Sequence, residues 1–176
     1  YIQLNQNTNY NCKVSTFTKE VKKAFSEHPV QSVVVDLRFN SGGNLLLSSD
    51  LVKGIPKWFK SAGKIYIITG GATFSAGIVT AARLKYYSGD KAVIVGQEAA
   101  EGLKFRAEAK RFTLPNSKLM IFAGNAYHNW EDTKYDKDKK HFWLMRLIGV
   151  PAGNIDPDLP VELSFQDYLK GKDSVM

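Results

Sequence analysis

Three short runs constrain this chain more than anything else in it. They are SVVVDLR (Ser32–Arg38), KIYIITGG (Lys64–Gly71) and KAVIVG (Lys91–Gly96). Each is dominated by β-branched residues with little polar alternation. That pattern belongs to a strand covered on both faces. Each run ends in glycine or a polar turn, and stretches with helical character lie between them. Strand, glycine turn, helix, three times over, predicts an α/β domain with a largely parallel sheet. In such sheets ligands collect beyond the carboxyl ends of the strands. Two glycine turns, FNSGGN (Phe39–Asn44) and TGGATFSAG (Thr69–Gly77), lie at such ends and are expected to converge.

The remaining segments fit around this frame. YIQLNQ at the start alternates like a short strand. A helix is predicted from Ser15, as its cap, to about His28, where Pro29 stops it. Phe17, Val21, Ala24 and Phe25 fall on one face of it. LLLSSDLVKGIPKWF reads as a helix broken or kinked near Gly54 and Pro56. SAGIVTAARLKYY is a helix rich in small residues. FRAEAKRFTLPNSKLMIFAGNAYH is hairpin material with Pro-Asn at its turn. Asn129 to about His141 is charged and reads as a loop. HFWLMRLIGVP is too short to assign to helix or strand, and Ser164 caps a short helix near the end.

Composition excludes several classes. The 176 residues suffice for one domain with a sizeable core. No apolar run approaches the roughly 18 residues of a membrane-spanning helix. Cys12 is the only cysteine, so an intramolecular disulfide and cysteine-based zinc sites are excluded. The net charge is +7. Lys19, Lys22 and Lys23 sit on one helix, while Lys134, Lys137, Lys139 and Lys140 are diluted by neighbouring acids. This scatter predicts a solvated surface rather than a nucleic-acid site. There is no phosphate loop and no metal-ligand spacing, so neither cofactor nor metal is expected. The opening Tyr-Ile-Gln-Leu has no initiator Met and resembles the inside of a fold. Residues 1–176 are therefore expected to be one domain of a longer protein with upstream residues missing.

Two readings of Ser75 are open on local grounds. It starts the helix SAGIVTAARL, so its hydroxyl can cap that helix. Alternatively it is a nucleophile beside free first-turn N–H groups, where the helix dipole favours negative charge. The N–H of Ala76 can then serve a tetrahedral oxyanion. Gly42 and Gly43 allow close backbone approach to a ligand and can supply a second donor. Asp36 and Arg38 read as a pair that holds the intervening turn.

VVVDLRFNSGG, then TFSAGIVTAA, then AVIVGQ is an ordered set of motifs that resembles the tail-specific or C-terminal processing proteases, the S41 serine peptidases. The strong match covers Val33 to Gly96, and a weaker one extends through FTLPNS and IDPDLPVELSFQDYLKGKD. The resemblance implies a ClpP/crotonase-like α/β fold of repeated ββα units. It implies Ser75 as nucleophile and Ala76 with Gly42 or Gly43 as oxyanion hole. It also implies a protein or peptide substrate cleaved by an endopeptidase of the C-terminal processing type, and an extracytoplasmic or membrane-associated location. The family pattern Gly-Glu-x-Thr-x-Gly-Lys is not kept. Here the segment is GQEAAEGLKF, and the nearest lysine is Lys104, one residue further from the glycine. Lys104 is the expected base, and it must be neutral, which needs a pKa well below about 10.4. Glu101 and His128 are the alternatives for base or orienter. A catalytically degenerate domain that binds a peptide or apolar ligand is the second reading of the whole chain. A crotonase-like acyl-thioester enzyme is a third, but its adenine-binding loop and catalytic carboxylate are not found. The sequence does not set the oligomeric state or the compartment.

Overall fold

The three apolar runs become adjacent strands of one parallel sheet. The computed structural model describes residues 1–176. In chain order it contains β1 (Ile2–Gln3), α1 (Val14–Glu27), β2 (Val33–Asp36), α2 (Ser49–Trp58), β3 (Ile65–Thr69), α3 (Ala76–Ser88) and β4 (Ala92–Gly96). There follow β5 (Lys104–Thr113), β6 (Met120–Asn129), α4 (Met145–Ile148), β7 (Leu159–Pro160) and α5 (Phe165–Leu169). The sheet order is β1-β2-β3-β4-β7, and every pairing in it is parallel. The α/β class and the parallel sheet are as the sequence predicts.

The core follows from the strand composition. Val33, Val35, Ile65, Ile67 and Ile94 are all buried. Helix α1 packs on α2, and α2 on α3. Helix α3 is buried nearly all round, from Ala76 to Leu84. Its small residues Ala76, Ala81 and Ala82 allow that close packing, which an amphipathic surface helix does not need.

The ends of several elements differ from the sequence reading. Helix α1 begins at Val14, so Ser15 lies inside it and does not cap it. Asn9 Oδ1 accepts the Val14 N–H at 2.9 Å instead. On the predicted apolar face Val21 is buried and Phe17 and Phe25 pack on the core, but Ala24 is exposed. Helix α2 continues past Pro56 to Trp58. The undecided HFWLMRLIGVP contains the short helix α4. Ser164 caps α5 as expected, accepting from the Asp167 N–H at 3.3 Å.

β5 and β6 form a separate antiparallel hairpin, closed from Lys104↔Asn129 to Thr113↔Met120. Leu103, Phe105, Ala126 and Trp130 anchor its base in the core. Its outer half faces solvent, including Leu119 and Phe122.

The end of β2 is fastened to the chain's last residues. Arg38 donates to the buried Asp36 carboxylate and also to both oxygens of Asp173, at 2.8 Å each. Tyr1 Oη donates to Asp36 Oδ2 at 2.6 Å. Burial alone raises the Asp36 carboxyl, but hydrogen bonds from Arg38 and Tyr1 outweigh it and hold it below its usual value. Asp173 is likewise held low by its hydrogen bonds from Arg38. A depressed folded pKa contributes stability above the unfolded value, about 3.9, which is lost as pH falls through the folded one. We expect the urea midpoint to fall with acidification below about pH 4. Asp36→Asn should flatten that fall, at the cost of a lower midpoint near neutrality. An unchanged acid profile in the variant contradicts this assignment.

Candidate functional site

The site lies beyond the carboxyl ends of β2 and β3. After β3, the Thr73 hydroxyl accepts the Gly70 N–H at 3.0 Å and donates to the Leu37 carbonyl at 2.8 Å. This fully buried threonine ties the serine turn to the end of β2. Ser75 follows with φ 52° and ψ −118°, a conformation unfavourable for a residue with a side chain. Such strain costs about 1–3 kcal/mol and persists only where the surroundings impose it. Ser75 stands at the cap position of α3, yet its hydroxyl makes no capping hydrogen bond. The side chain is half-exposed and free for other chemistry.

The glycine turn approaches Ser75 closely. Gly42 and Gly43 have φ of 108° and 122°. A Cβ on Gly42 would lie 2.9 Å from Ser75 Cβ and 3.3 Å from its Oγ. The convergence of the two glycine turns, expected from topology, is therefore present. The two glycines differ in what their N–H groups do. Gly42 N–H donates to Asn40 Oδ1 at 3.1 Å. The N–H groups of Gly43 and Ala76 have no protein acceptor.

A buried polar network holds these turns in register. The Asn40 side chain accepts from Gly42 and donates to the Leu4 carbonyl and to Asn7 Oδ1, each at 2.9 Å. Its backbone carbonyl accepts the Phe74 N–H at 2.9 Å. Asn7 Nδ2 donates onward to Ser48 Oγ and Thr80 Oγ1, and Thr80 Oγ1 donates to the Ala76 carbonyl. Asn7, Asn40, Ser48 and Thr80 are each no more than 1% exposed. Asn7 also clamps Gly43 from outside, through bonds to the Gly42 carbonyl and from the Asn44 N–H, both 2.8 Å. The pairing of Asn7 with Asn40, Ser48 and Thr80 is not visible in the sequence, because these partners lie 33, 41 and 73 residues from it. The one signal was Asn40 itself, a polar residue between an apolar strand and two glycines.

The expected base stands in a different environment from the one catalysis requires. Lys104 Nζ lies 2.7 Å from Glu131 Oε1 and 3.6 Å from Asp132 Oδ2. The hydrogen bond that Lys104 donates to Glu131 outweighs desolvation and raises the lysine pKa, so the ammonium stays charged. A lysine base needs the opposite shift. His128 is 1% exposed and stacked between Phe105 and Phe142. Its Nδ1 accepts from Trp130 Nε1 at 3.3 Å, and burial lowers its pKa to about 4. Its Nε2 has no hydrogen-bond partner, with Glu108 3.7 Å away. Glu101 follows β4 on a segment fastened to the serine turn: the Ala100 N–H donates to the Thr73 carbonyl at 3.0 Å. Burial raises the Glu101 carboxyl pKa.

No protein-family model matches this sequence, and no curated protein matches it. Solved structures are similar to it. One is a photosystem II D1 C-terminal processing protease, with a TM-score of 0.54 and 14% identity, over 91% of this chain and 41% of that one. A structure described as an S41 protease from Bacteroides fragilis NCTC 9343 aligns at a TM-score of 0.49 and 18% identity, over 94% of this chain and 47% of that one. A lipoprotein from Streptococcus agalactiae aligns at 0.47 and 15%, over 90% and 60%. The chain thus spans 41% to 60% of the length of these proteins. The first match supports an α/β fold like that of the processing proteases, and nothing finer.

Asn40→Ala is expected to leave the Leu4 carbonyl, the Gly42 N–H and Asn7 Oδ1 without their buried partner. Each such orphan costs about 1–3 kcal/mol. Chemical denaturation should show a loss of about 2–4 kcal/mol, at the upper end for a single substitution. A loss within about 0.5 kcal/mol, the scale of an ordinary surface change, refutes the role given to this network.

Proposed function

We propose that this chain is an S41-type serine peptidase domain, in which Ser75 attacks the carbonyl of a peptide substrate. The observation that carries the reading is Ser75 itself. It is strained, half-exposed and free of a capping bond, next to the unaccepted N–H of Ala76 and close to the glycine turn in which the Gly43 N–H has no protein acceptor. The oxyanion formed by attack is assigned to the N–H groups of Gly43 and Ala76, with Gly42 supporting the turn. Donors fixed before the reaction cost no reorganisation when charge develops. Ser75 loses its proton as its oxygen bonds to the carbonyl carbon. The C–N bond then breaks, and the amine leaves with a proton from the base. Water hydrolyses the resulting acyl-serine, restoring the hydroxyl.

The base is assigned to Glu101 rather than to Lys104. Supporting this, the Glu101 segment is bonded to the serine turn, and burial lifts its carboxyl pKa towards the range useful for proton transfer. Lys104 is committed to Glu131 and Asp132. The substrate is a protein or peptide, as the processing-protease fold suggests. A second reading, binding of a peptide without cleavage, is favoured by the absence of a side-chain hydrogen bond to the Ser75 hydroxyl and by the pairing of Lys104.

A fluorophosphonate probe separates the two. Folded wild type should become labelled and Ser75→Ala should not. The labelling rate should rise with pH through a value above the usual glutamate pKa of about 4.3. Glu101→Gln should abolish that limb and slow labelling about 100-fold, while Lys104→Met leaves the rate nearly unchanged. A folded wild type that stays unlabelled leaves the non-cleaving reading in place.

A further inference from the structure

Folding gathers lysines that look scattered in the sequence. Lys19, Lys22 and Lys23 recur at i, i+3 and i+4, so they form one stripe on α1. Lys57 lies in the last turn of α2, and Lys60 follows just beyond it. All five line a single groove of about 550 Å³ between the two helices. Phe25 from α1 and Trp58 from α2 also line it, with ring centroids 6.2 Å apart. The groove has no acidic lining residue. Among the five ammonium groups, only that of Lys23 has an ion-pair partner, the exposed Glu27 at 3.6 Å.

Ordinary surface chemistry accounts for part of this arrangement only. A lysine in the last turn of a helix complements the helix dipole, which suits Lys57. The stripe on α1 is different, because like charges at those spacings oppose helix formation. Adding Lys57 and Lys60 across the groove increases the repulsion. The aliphatic stems of the lysines can lie along the apolar ring pair with their charged heads at the rim. Near such a floor an anion is attracted more strongly than in open water.

The groove is also separate from the serine site. Helices α1 and α2 lead into the starts of β2 and β3, so their final turns lie towards the amino ends of those strands. Ser75 lies beyond the carboxyl end of β3.

We propose that the groove between α1 and α2 binds a small soluble polyanion, one carrying several phosphate or sulfate groups close together. Five cations from two helices match clustered charge better than a single carboxylate or monophosphate. The site is independent of whether Ser75 is catalytic.

Tripolyphosphate is a suitable probe, titrated calorimetrically at low salt with orthophosphate at equal ionic strength as the control. Two variants of equal net charge are compared. Lys22→Glu/Lys60→Glu alters the groove, and Lys137→Glu/Lys140→Glu alters the charged loop after β6. Wild type should bind tripolyphosphate saturably, one per chain, and more tightly than orthophosphate. The groove variant should bind at least about tenfold more weakly, and the loop variant within about twofold of wild type. Backbone amide shifts on titration should concentrate in residues 19–26 and 57–60. These lysines are exposed, so circular dichroism should show both variants folded. Absence of saturable binding, equal loss in both variants, or shifts centred elsewhere overturns the proposal.

Discussion

Asn40 is out of contact with solvent, and all of its polar groups are engaged within the protein. It reaches β1 through Leu4, the glycine turn through Gly42, and the serine turn through Phe74. Three segments are thus tied to one residue, two of them through its side chain and the serine turn through its backbone carbonyl. Its partner Asn7 extends the same network to Ser48, just before α2, and to Thr80 within α3. An amide suits this position because it donates and accepts at once. In a buried setting the network stabilises the fold only when every member is satisfied.

The geometry around Ser75 depends on that fastening. A serine with φ 52° does not hold its conformation by local preference. Thr73 fixes the turn from the β2 side, and Asn40 fixes it from the glycine side. The short approach between Gly42 and Ser75 leaves no room for a side chain on the glycine. Because Asn40 already takes the Gly42 N–H, the next N–H along, that of Gly43, is the one without a protein acceptor. The backbone of Asn7 pairs with the residues on either side of Gly43. Strain at the serine and satisfaction in the network are two parts of one arrangement.

Much of the frame was legible in the sequence. The parallel strands announced themselves because burial on both faces demands unbroken apolar runs. The hairpin followed from β-rich segments around Pro115 and Asn116. Helix starts were less legible. The cap of α1 comes from Asn9, five residues before Val14, so local spacing pointed to Ser15 instead. The base is not legible in the sequence. Lys104 lies close in sequence to the usual lysine position, but Glu131, which decides its charge state, is 27 residues away. The two phenylalanine rings stacked on His128 lie 23 and 14 residues from it.

By itself the sequence determined the α/β class, the order of the strands' apolar runs and the meeting of two glycine turns near Ser75. Those features rest on local composition and on the general topology of parallel sheets. Only the tertiary structure decided which N–H groups are free, which carboxylates hold Lys104 charged, and that five lysines share one groove. Each of these is a matter of hydrogen-bond partners, burial or charge proximity between residues far apart in the chain. Spacing along a sequence carries no information about such distances until the chain is folded.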